Sequence, residues 1–433
     1  MKASVLLSLA ALSSTGLACL LPEERDGTMM HRVVRRQGQS GTPIGTGDRF
    51  SGGSVVPRGL GSQTGVTFST ILNPTEIVSG LKALSNTYGI TTFTTPYKTY
   101  NGATIYGAQV GGTGSGTGAY KVFFNGNIHA RERGSADNVL YFIADLLYAN
   151  KNNVGLTYGS KTYTAAQVKT ALAAGIVFIP LSNPDGVAYD QSTGSCWRKN
   201  RRPNSGGSYG VDLNRNFDFV WDFTKKFASS VAGSTASTSP SSETYHGTAA
   251  FSEPETKSIK WVFDTYAKVR WFIDLHSYTG DVLYSWGSDD NQSKYPYMNF
   301  LNSTYDSVRG ILTDTPGSGK GYGEYVPAAE GTANAAAAQR LASGLTAGGG
   351  KTYGYYQASD LYPTSGASDD YAYSRHFADP SKNLVHAYTV EFGFGSSGSC
   401  PFYPSVANYN ENIRATNAGF FEFLLAATEL GLE

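Results

Sequence analysis

The sequence predicts an α/β fold built on a mixed central sheet, and three observations predict it. Apolar-rich runs of strand length recur, as in Ile176–Leu181 (IVFIPL), Val269–Leu275 (VRWFIDL) and Ala387–Val390. Between them lie segments whose apolar residues repeat at helical spacing, and this alternation is the pattern of α/β proteins. Residues able to do chemistry fall just after the strands, where open α/β sheets place their ligand sites. His276 ends the second run and Glu391 ends the third.

The elements follow in order. Asn73-Pro-Thr-Glu76 opens a helix, with Asn as cap, Pro at the first position and Glu three residues on. Ile77, Leu81 and Leu84 give it an apolar face, and Gly89 ends it. Short strands follow near 91–95, 103–110 and 119–125. Val139, Leu140, Phe142, Ile143, Leu146 and Leu147 mark a second helix, and residues 164–174 a third, closed by Gly175. Ile176–Leu181 is a strand buried on both faces, leading into Asn183-Pro-Asp-Gly186, which reads as a turn. Ser252-Glu-Pro-Glu255 reads as a capping box starting a helix to about Ala267. The Gly- and Ala-rich stretch from Pro316 to Gly350 reads as a surface insertion. A last helix covers about Glu411–Leu430.

The chain has 433 residues, 40% hydrophobic and 16% charged, with a formal net charge of zero. That is enough for a large core, and neutrality disfavours a nucleic-acid or anionic-membrane partner. Lys2 and the broken apolar run Val5–Leu21, with small residues near Ala18, read as a secretory signal peptide over 1–18. Arg35-Arg36 reads as a site for a kexin-like processing protease that removes a short propeptide, 19–36. Residues 37–64 are rich in Gly, Ser and Thr and read as a flexible or loosely docked lead-in, followed by a catalytic domain over 65–433. No later run is long and apolar enough to span a bilayer. The product is therefore expected to be secreted, and monomeric. Cys19 lies at the signal boundary, leaving Cys196 and Cys400 to pair in an oxidising compartment. Asn291-Gln-Ser and Asn302-Ser-Thr are glycosylation sequons.

The chemistry starts in Lys121–Gly134, KVFFNGNIHARERG, a strand and turn carrying His129 and Glu132 three residues apart. That spacing can aim an imidazole and a carboxylate at one point. With His276 from Phe272-Ile-Asp-Leu-His-Ser-Tyr278, the set becomes His₂Glu, an open zinc site with one position left for water.

These residues belong to a longer series: His129-Ala-Arg-Glu132, Asn183-Pro-Asp-Gly186, Trp197-Arg-Lys199, Asp212-Leu-Asn-Arg-Asn216, Tyr245-His-Gly247, Leu275-His-Ser-Tyr278, Leu361-Tyr-Pro-Thr-Ser-Gly366 and Thr389-Val-Glu391. In that order they resemble the zinc carboxypeptidases of the carboxypeptidase A/B type, from about Gly65 to the C-terminus. The resemblance implies a three-layer α/β/α fold with a central mixed, mainly parallel sheet. It implies one Zn2+ per chain on His129, Glu132 and His276, with peptide or protein C-termini as substrate. Glu391 matches the general base and Arg198 the oxyanion stabiliser. Asn214 and Arg215 match the pair that grips the terminal carboxylate. Arg131, Ser277 and Tyr278 match further substrate contacts, and Asp212 a partner of His129. Tyr362 matches the tyrosine that caps the substrate, with Tyr356 as a packing residue. Asp369 falls at the floor of the specificity pocket, walled by Leu283, Thr364 and Thr389. An Asp there implies a basic or dual C-terminal preference; a hydrophobic preference, or a silent binding protein, are the alternatives. A Cys196–Cys400 bridge would tie the Arg198 loop to the loop after Glu391. His246, His376 and His386 are assigned to structure.

Overall fold

The computed structural model describes residues 41–433. The expected signal peptide, the propeptide and the start of the lead-in lie outside the described residues.

An eight-stranded sheet forms the centre. Its strands are β1 (Thr91–Lys98), β2 (Thr104–Val110), β3 (Val122–Gly126), β4 (Ile176–Ile179), β5 (Trp271–His276), β6 (Asp281–Tyr284), β7 (Gly354–Gln357) and β8 (His386–Glu391). Their order is β1-β2-β4-β3-β5-β8-β6-β7. The inner strands β4, β3, β5 and β8 run parallel; β1 with β2, β2 with β4, and β8 with β6 pair antiparallel. This is the mixed sheet expected from alternating strands and helices.

Alternation along the inner strands divides the core. Phe124, Ile273, Leu275, Tyr388 and Val390 face one way, into a cluster with helices α1 (Pro74–Tyr88), α2 (Ser135–Asn152) and α3 (Ala165–Ala173). Phe123, Phe272 and Ala387 face the other way, onto Ile259, Val262 and Phe263 of α5 (Pro254–Thr265) and Tyr371 of α7 (Ser368–Ala378). Helices α4 (Pro184–Thr193), α6 (Ala328–Gly349) and α8 (Val406–Leu430) are the other helices longer than four residues among the described residues. On the second face, Asn125, Asp274 and Thr389 follow the apolar residues, and His276 and Glu391 follow those. The sheet thus turns from apolar to polar to reactive along one face.

α1 has the expected cap: Asn73 accepts from the Glu76 amide, Glu76 accepts from the Asn73 amide, and Gly89 closes the end at φ 71°. Four expectations are corrected. The lead-in is not loose from Gly41 onward. Ile44 bridges Ile71, Phe50 and Leu60 are buried, and Arg49 Nε meets Glu76 at 2.7 Å. The Asn183 turn is a helix start, because Asn183 accepts from the Gly186 amide and Pro184 begins α4. The capping box at Ser252 is not made. Ser252 Oγ donates to Glu253, and Glu255 instead accepts from Asn200.

The fourth correction is the largest. The stretch expected as a surface insertion contains α6, packed along α8 with Ala337, Ala338, Leu341, Ala342 and Leu345 buried. Its small residues permit a close approach, not exposure. A Cβ on Gly344 would lie 2.7 Å from the Ala418 carbonyl oxygen, and one on Gly348 2.3 Å from that of Arg414. Backbone atoms cannot swing aside. Gly344→Ala is therefore expected to cost about 1–3 kcal/mol, the usual penalty of overpacking. Gly331→Ala on the same helix meets nothing nearer than 3.7 Å, and should gain up to about 1 kcal/mol in helix propensity. Urea unfolding of the two variants checks this; shifts of the same sign would refute the close-approach account.

Candidate metal centre and active site

The metal turn is shaped by Asn127. It sits at φ 51°, a left-handed conformation that asparagine tolerates. Its Nδ2 donates to the carbonyls of His129 and Glu132, each at 3.2 Å, and its Oδ1 accepts from the Ala136 amide at 2.8 Å. One side chain thus folds the turn and anchors it to α2. Ser135 Oγ donates to the Leu275 carbonyl at 2.9 Å, fastening the turn beside the end of β5. His276 arrives there at the last position of that strand, in register with Glu391 on β8.

The three expected ligands converge. His129 Nδ1 lies 2.8 Å from Glu132 Oε1 and 3.1 Å from His276 Nδ1, and His276 Nδ1 lies 3.4 Å from Glu132 Oε2. All three side chains are fully buried. Each imidazole has a carboxylate behind it: Asp212 Oδ1 is 3.0 Å from His129 Nε2, and Asp274 Oδ2 is 3.2 Å from His276 Nε2. A carboxylate fixes the proton on Nε2 and turns the Nδ1 lone pair inward. Two inward ring nitrogens, with a carboxylate oxygen that makes no hydrogen bond, form a donor set that a shared cation would satisfy. The donor set suits zinc: two ligands about 2.1 Å from a tetrahedral ion are about 3.4 Å apart. Burial opposes ionisation of Glu132, yet His129 and His276 outweigh it and hold the carboxyl down at about 2.

Asp212 joins this centre to the next group. Its Oδ2 accepts from Arg198 Nε at 3.2 Å and Nη2 at 2.9 Å, and its Oδ1 also accepts from the Asn214 amide at 3.0 Å. Burial opposes its charge, but Arg198 and His129 hold it well below the usual carboxylate range. Arg198 is fully buried, on a strand of chain whose carbonyl receives the Ala130 amide at 2.9 Å.

Arg215 is pinned by Nε to the Thr235 carbonyl and by Nη1 to the Asn214 carbonyl, both at 2.7 Å, while Nη2 reaches the Tyr362 hydroxyl at 3.4 Å. Asn214, Arg215 and Tyr362 are therefore together. Tyr356 is half-buried on β7 and is held against Asp281. Leu283 pairs with Thr389 across β6 and β8, and Thr389 Oγ1 donates to Asp369 Oδ2 at 3.1 Å. The expected pocket residues are neighbours. Burial pushes the Asp369 carboxyl up, as does Asp274 nearby, against the hydrogen bonds from the Asp370 amide and Thr389. Asp370 accepts from the Gly287 amide, and Thr364 lies against Gly287 as well.

On the other side, Arg131 lies over the Phe402 ring at 4.2 Å, and Tyr278 meets the same ring edge-on at 4.9 Å. Ser277 beside it is buried. The Cys196–Cys400 disulfide is formed, with Cα atoms 5.7 Å apart. Tyr403 extends its work: the hydroxyl accepts from the Cys196 amide at 2.8 Å and donates to Asp190 at 2.5 Å. Asp190 also accepts from the Trp197 amide and from Arg133. The Arg198 segment is thereby clamped between the metal turn and the loop after β8. The histidines assigned to structure are elsewhere: His246 stacks on Trp221, His376 lies against the Lys382 carbonyl, and His386 bonds Asn334.

Asp274, Asn127 and Phe402 were not singled out by the sequence. Asp274 had a signal: it interrupts an apolar strand two residues before His276, so both must share one face. Phe402 had none, since it lies in a Gly- and Ser-rich loop.

Comparison with known proteins agrees with this geometry. The zinc carboxypeptidase family model matches residues 77–419. A metallocarboxypeptidase A-like protein of Trichophyton verrucosum is 34% identical over 42% of this chain and 38% of its own. Carboxypeptidase B of Bos taurus is 31% identical over 64% of this chain and 53% of its own. The chain thus spans roughly 38–53% of the length of these relatives. Among solved structures, thrombin activatable fibrinolysis inhibitor superposes with a TM-score of 0.61 at 19% identity, covering 83% of this chain and 75% of that one. Carboxypeptidase A of Helicoverpa armigera gives 0.59 at 20% identity, covering 84% and 75%. These two likenesses establish the fold. With a family match across most of its length, and the three residues expected as zinc ligands converging in space, this chain belongs to the zinc carboxypeptidases.

Proposed function

We propose that this protein is a secreted zinc metallocarboxypeptidase that hydrolyses the C-terminal bond of peptides and proteins, preferring basic residues or accepting both basic and apolar ones. One observation carries the reading: a His₂Glu centre stands beside an Asn214–Arg215 clamp whose guanidinium faces the Tyr362 hydroxyl at 3.4 Å. A clamp of this kind suits a free carboxylate, with arginine offering a bidentate grip. An internal peptide bond has no such carboxylate, so the arrangement favours an exopeptidase.

Bound zinc supplies Lewis acidity and a water of lowered pKa. Glu391, beside His276 on the adjacent strand, takes a proton from the attacking water and passes it to the leaving amine. Arg198, held by Asp212, offers its guanidinium to the oxyanion as it develops. Arg215 and Asn214 bind the terminal carboxylate, and Tyr362 closes over it. Arg131, Ser277 and Tyr278 hold the preceding residues. Asp369 receives a cationic side chain; a lysine or arginine there offsets the burial that raises this carboxyl.

Secretion is supported by the signal-like start, by the Arg35-Arg36 processing site and by the disulfide, since disulfides persist in oxidising compartments. No helix among the described residues is long and apolar enough to cross a membrane. The two sequon amides are engaged in the fold, Asn291 Nδ2 with the Ser285 carbonyl and Asn302 Nδ2 with that of Tyr297. A glycan at either site would have to break that bond.

Purified enzyme should release free amino acid from peptides ending in Lys, Arg, Phe or Leu, and a chelator should stop it. No chelator-sensitive release from any of them refutes the proposal. Glu391→Gln should abolish turnover and retain zinc by metal analysis; residual turnover near wild type removes Glu391 from its role. Arg198→Ala should lower kcat by about 10²–10³-fold, as expected for one lost oxyanion donor. Asp369→Ala should lower kcat/KM for Lys and Arg ends and spare Phe and Leu ends; an equal loss on all four would show that Asp369 does not set the preference.

A further inference from the structure

α7 begins at a point where several functions meet. Its first residue, Ser368, is fully buried. The Ser368 hydroxyl donates to Asp274 Oδ2, the oxygen that faces His276 Nε2 at 3.2 Å. The Ser368 amide donates to Asn214 Oδ1 at 2.8 Å. The other oxygen of Asp274 accepts from Asn125 Nδ2 at 2.8 Å. The next residue in the helix is Asp369.

We infer that Ser368 and Asp274 form a positioning relay that holds the His276 imidazole in its ligating orientation, and that Ser368 ties this relay to the carboxylate clamp at Asn214. Three considerations lead there. First, a carboxylate buried within a sheet is unfavourable unless its oxygens are satisfied. Asp274 accepts from Asn125 and Ser368 and faces His276 Nε2 at 3.2 Å, so the cation it would pair with is a proposed metal ligand. Second, a ligating imidazole can rotate about its Cβ–Cγ bond unless its far nitrogen is held, and an outer carboxylate does that only if it is itself fixed. Asn125 fixes one oxygen from β3 and Ser368 fixes the other from α7, so Asp274 is braced from two elements. Third, the Ser368 amide occupies the oxygen of Asn214. That sets the orientation of the Asn214 amide and presents its NH₂ end, the donor a carboxylate needs, to the clamp. One residue therefore aligns a zinc ligand through its hydroxyl and a substrate-binding amide through its backbone.

This rests on zinc sitting between His129, Glu132 and His276, and the test separates the two. The experiment times zinc release from the full zinc-loaded enzyme into excess chromophoric chelator. The proteins are wild type, Ser368→Ala, Asp274→Asn and the double variant. Each single change should speed release about tenfold or more, the low end of the effect of losing an outer partner of a metal ligand. The double variant should release zinc no faster than the faster single one, because both changes break the same chain of bonds. Ser368→Ala keeps the backbone amide that donates to Asn214, so zinc release is its readout. Asn214→Ala removes the acceptor of that amide and should raise KM for a peptide substrate, with a smaller rise in zinc release than either relay change gives. Wild-type release from Ser368→Ala, or fully additive effects in the double variant, overturns the relay. Should Ser368→Ala fail to fold, the nearly isosteric Asp274→Asn decides alone, and wild-type release from it overturns the relay. A wild-type protein that binds no zinc refutes the metal centre instead.

Discussion

The active centre depends on one buried carboxylate, that of Asp212. It meets the imidazole of His129, accepts from the guanidinium of Arg198, and accepts from the backbone amide of Asn214. A buried ion is tolerable only when its lone pairs are filled, and here each bond that fills them also places a functional group. The consequence is coupling. The proposed metal ligand His129, oxyanion donor Arg198 and carboxylate clamp Asn214–Arg215 come from three separate stretches of chain, yet none can shift without disturbing the same anion.

The sheet provides the second constraint. On one face, Phe123, Phe272 and Ala387 pack into the core, and the next residues on those strands are Asn125, Asp274 and Thr389. These three lie side by side across β3, β5 and β8. Asn125 bonds Asp274, and Thr389 bonds Asp369. The layer is polar and buried, so it separates the apolar core from the edge that carries His276 and Glu391. Placement at that edge matters because a misplaced ligand or base loses rate steeply with distance.

Much of this was legible in the sequence, for physical reasons. The inner strands are buried on both faces and so wrote themselves as apolar runs. His276 and Glu391 fell at strand ends, where topology puts sites. Asn73 and Gly89 bounded α1 as capping chemistry requires. Two of the four misreadings share one cause: composition stood in for packing. Small residues from Ala328 to Gly349 look like loop or insertion, but Gly344 and Gly348 are what let two long helices touch. The Gly- and Ser-rich lead-in likewise carries few apolar residues, and Phe50 and Leu60 suffice to seat it. Asp274 and Phe402 act through tertiary contacts, which leave little trace in local pattern.

The strand order has a consequence in time. β8 is the last strand of the sheet to leave the ribosome, yet it sits inside the sheet, between β5 and β6. Until it arrives, β6 and β7 have no partner joining them to β5, and Glu391 is missing from its place beside His276. A nascent chain can therefore carry the whole metal turn and His276 and still lack the strand that joins the two parts of the sheet.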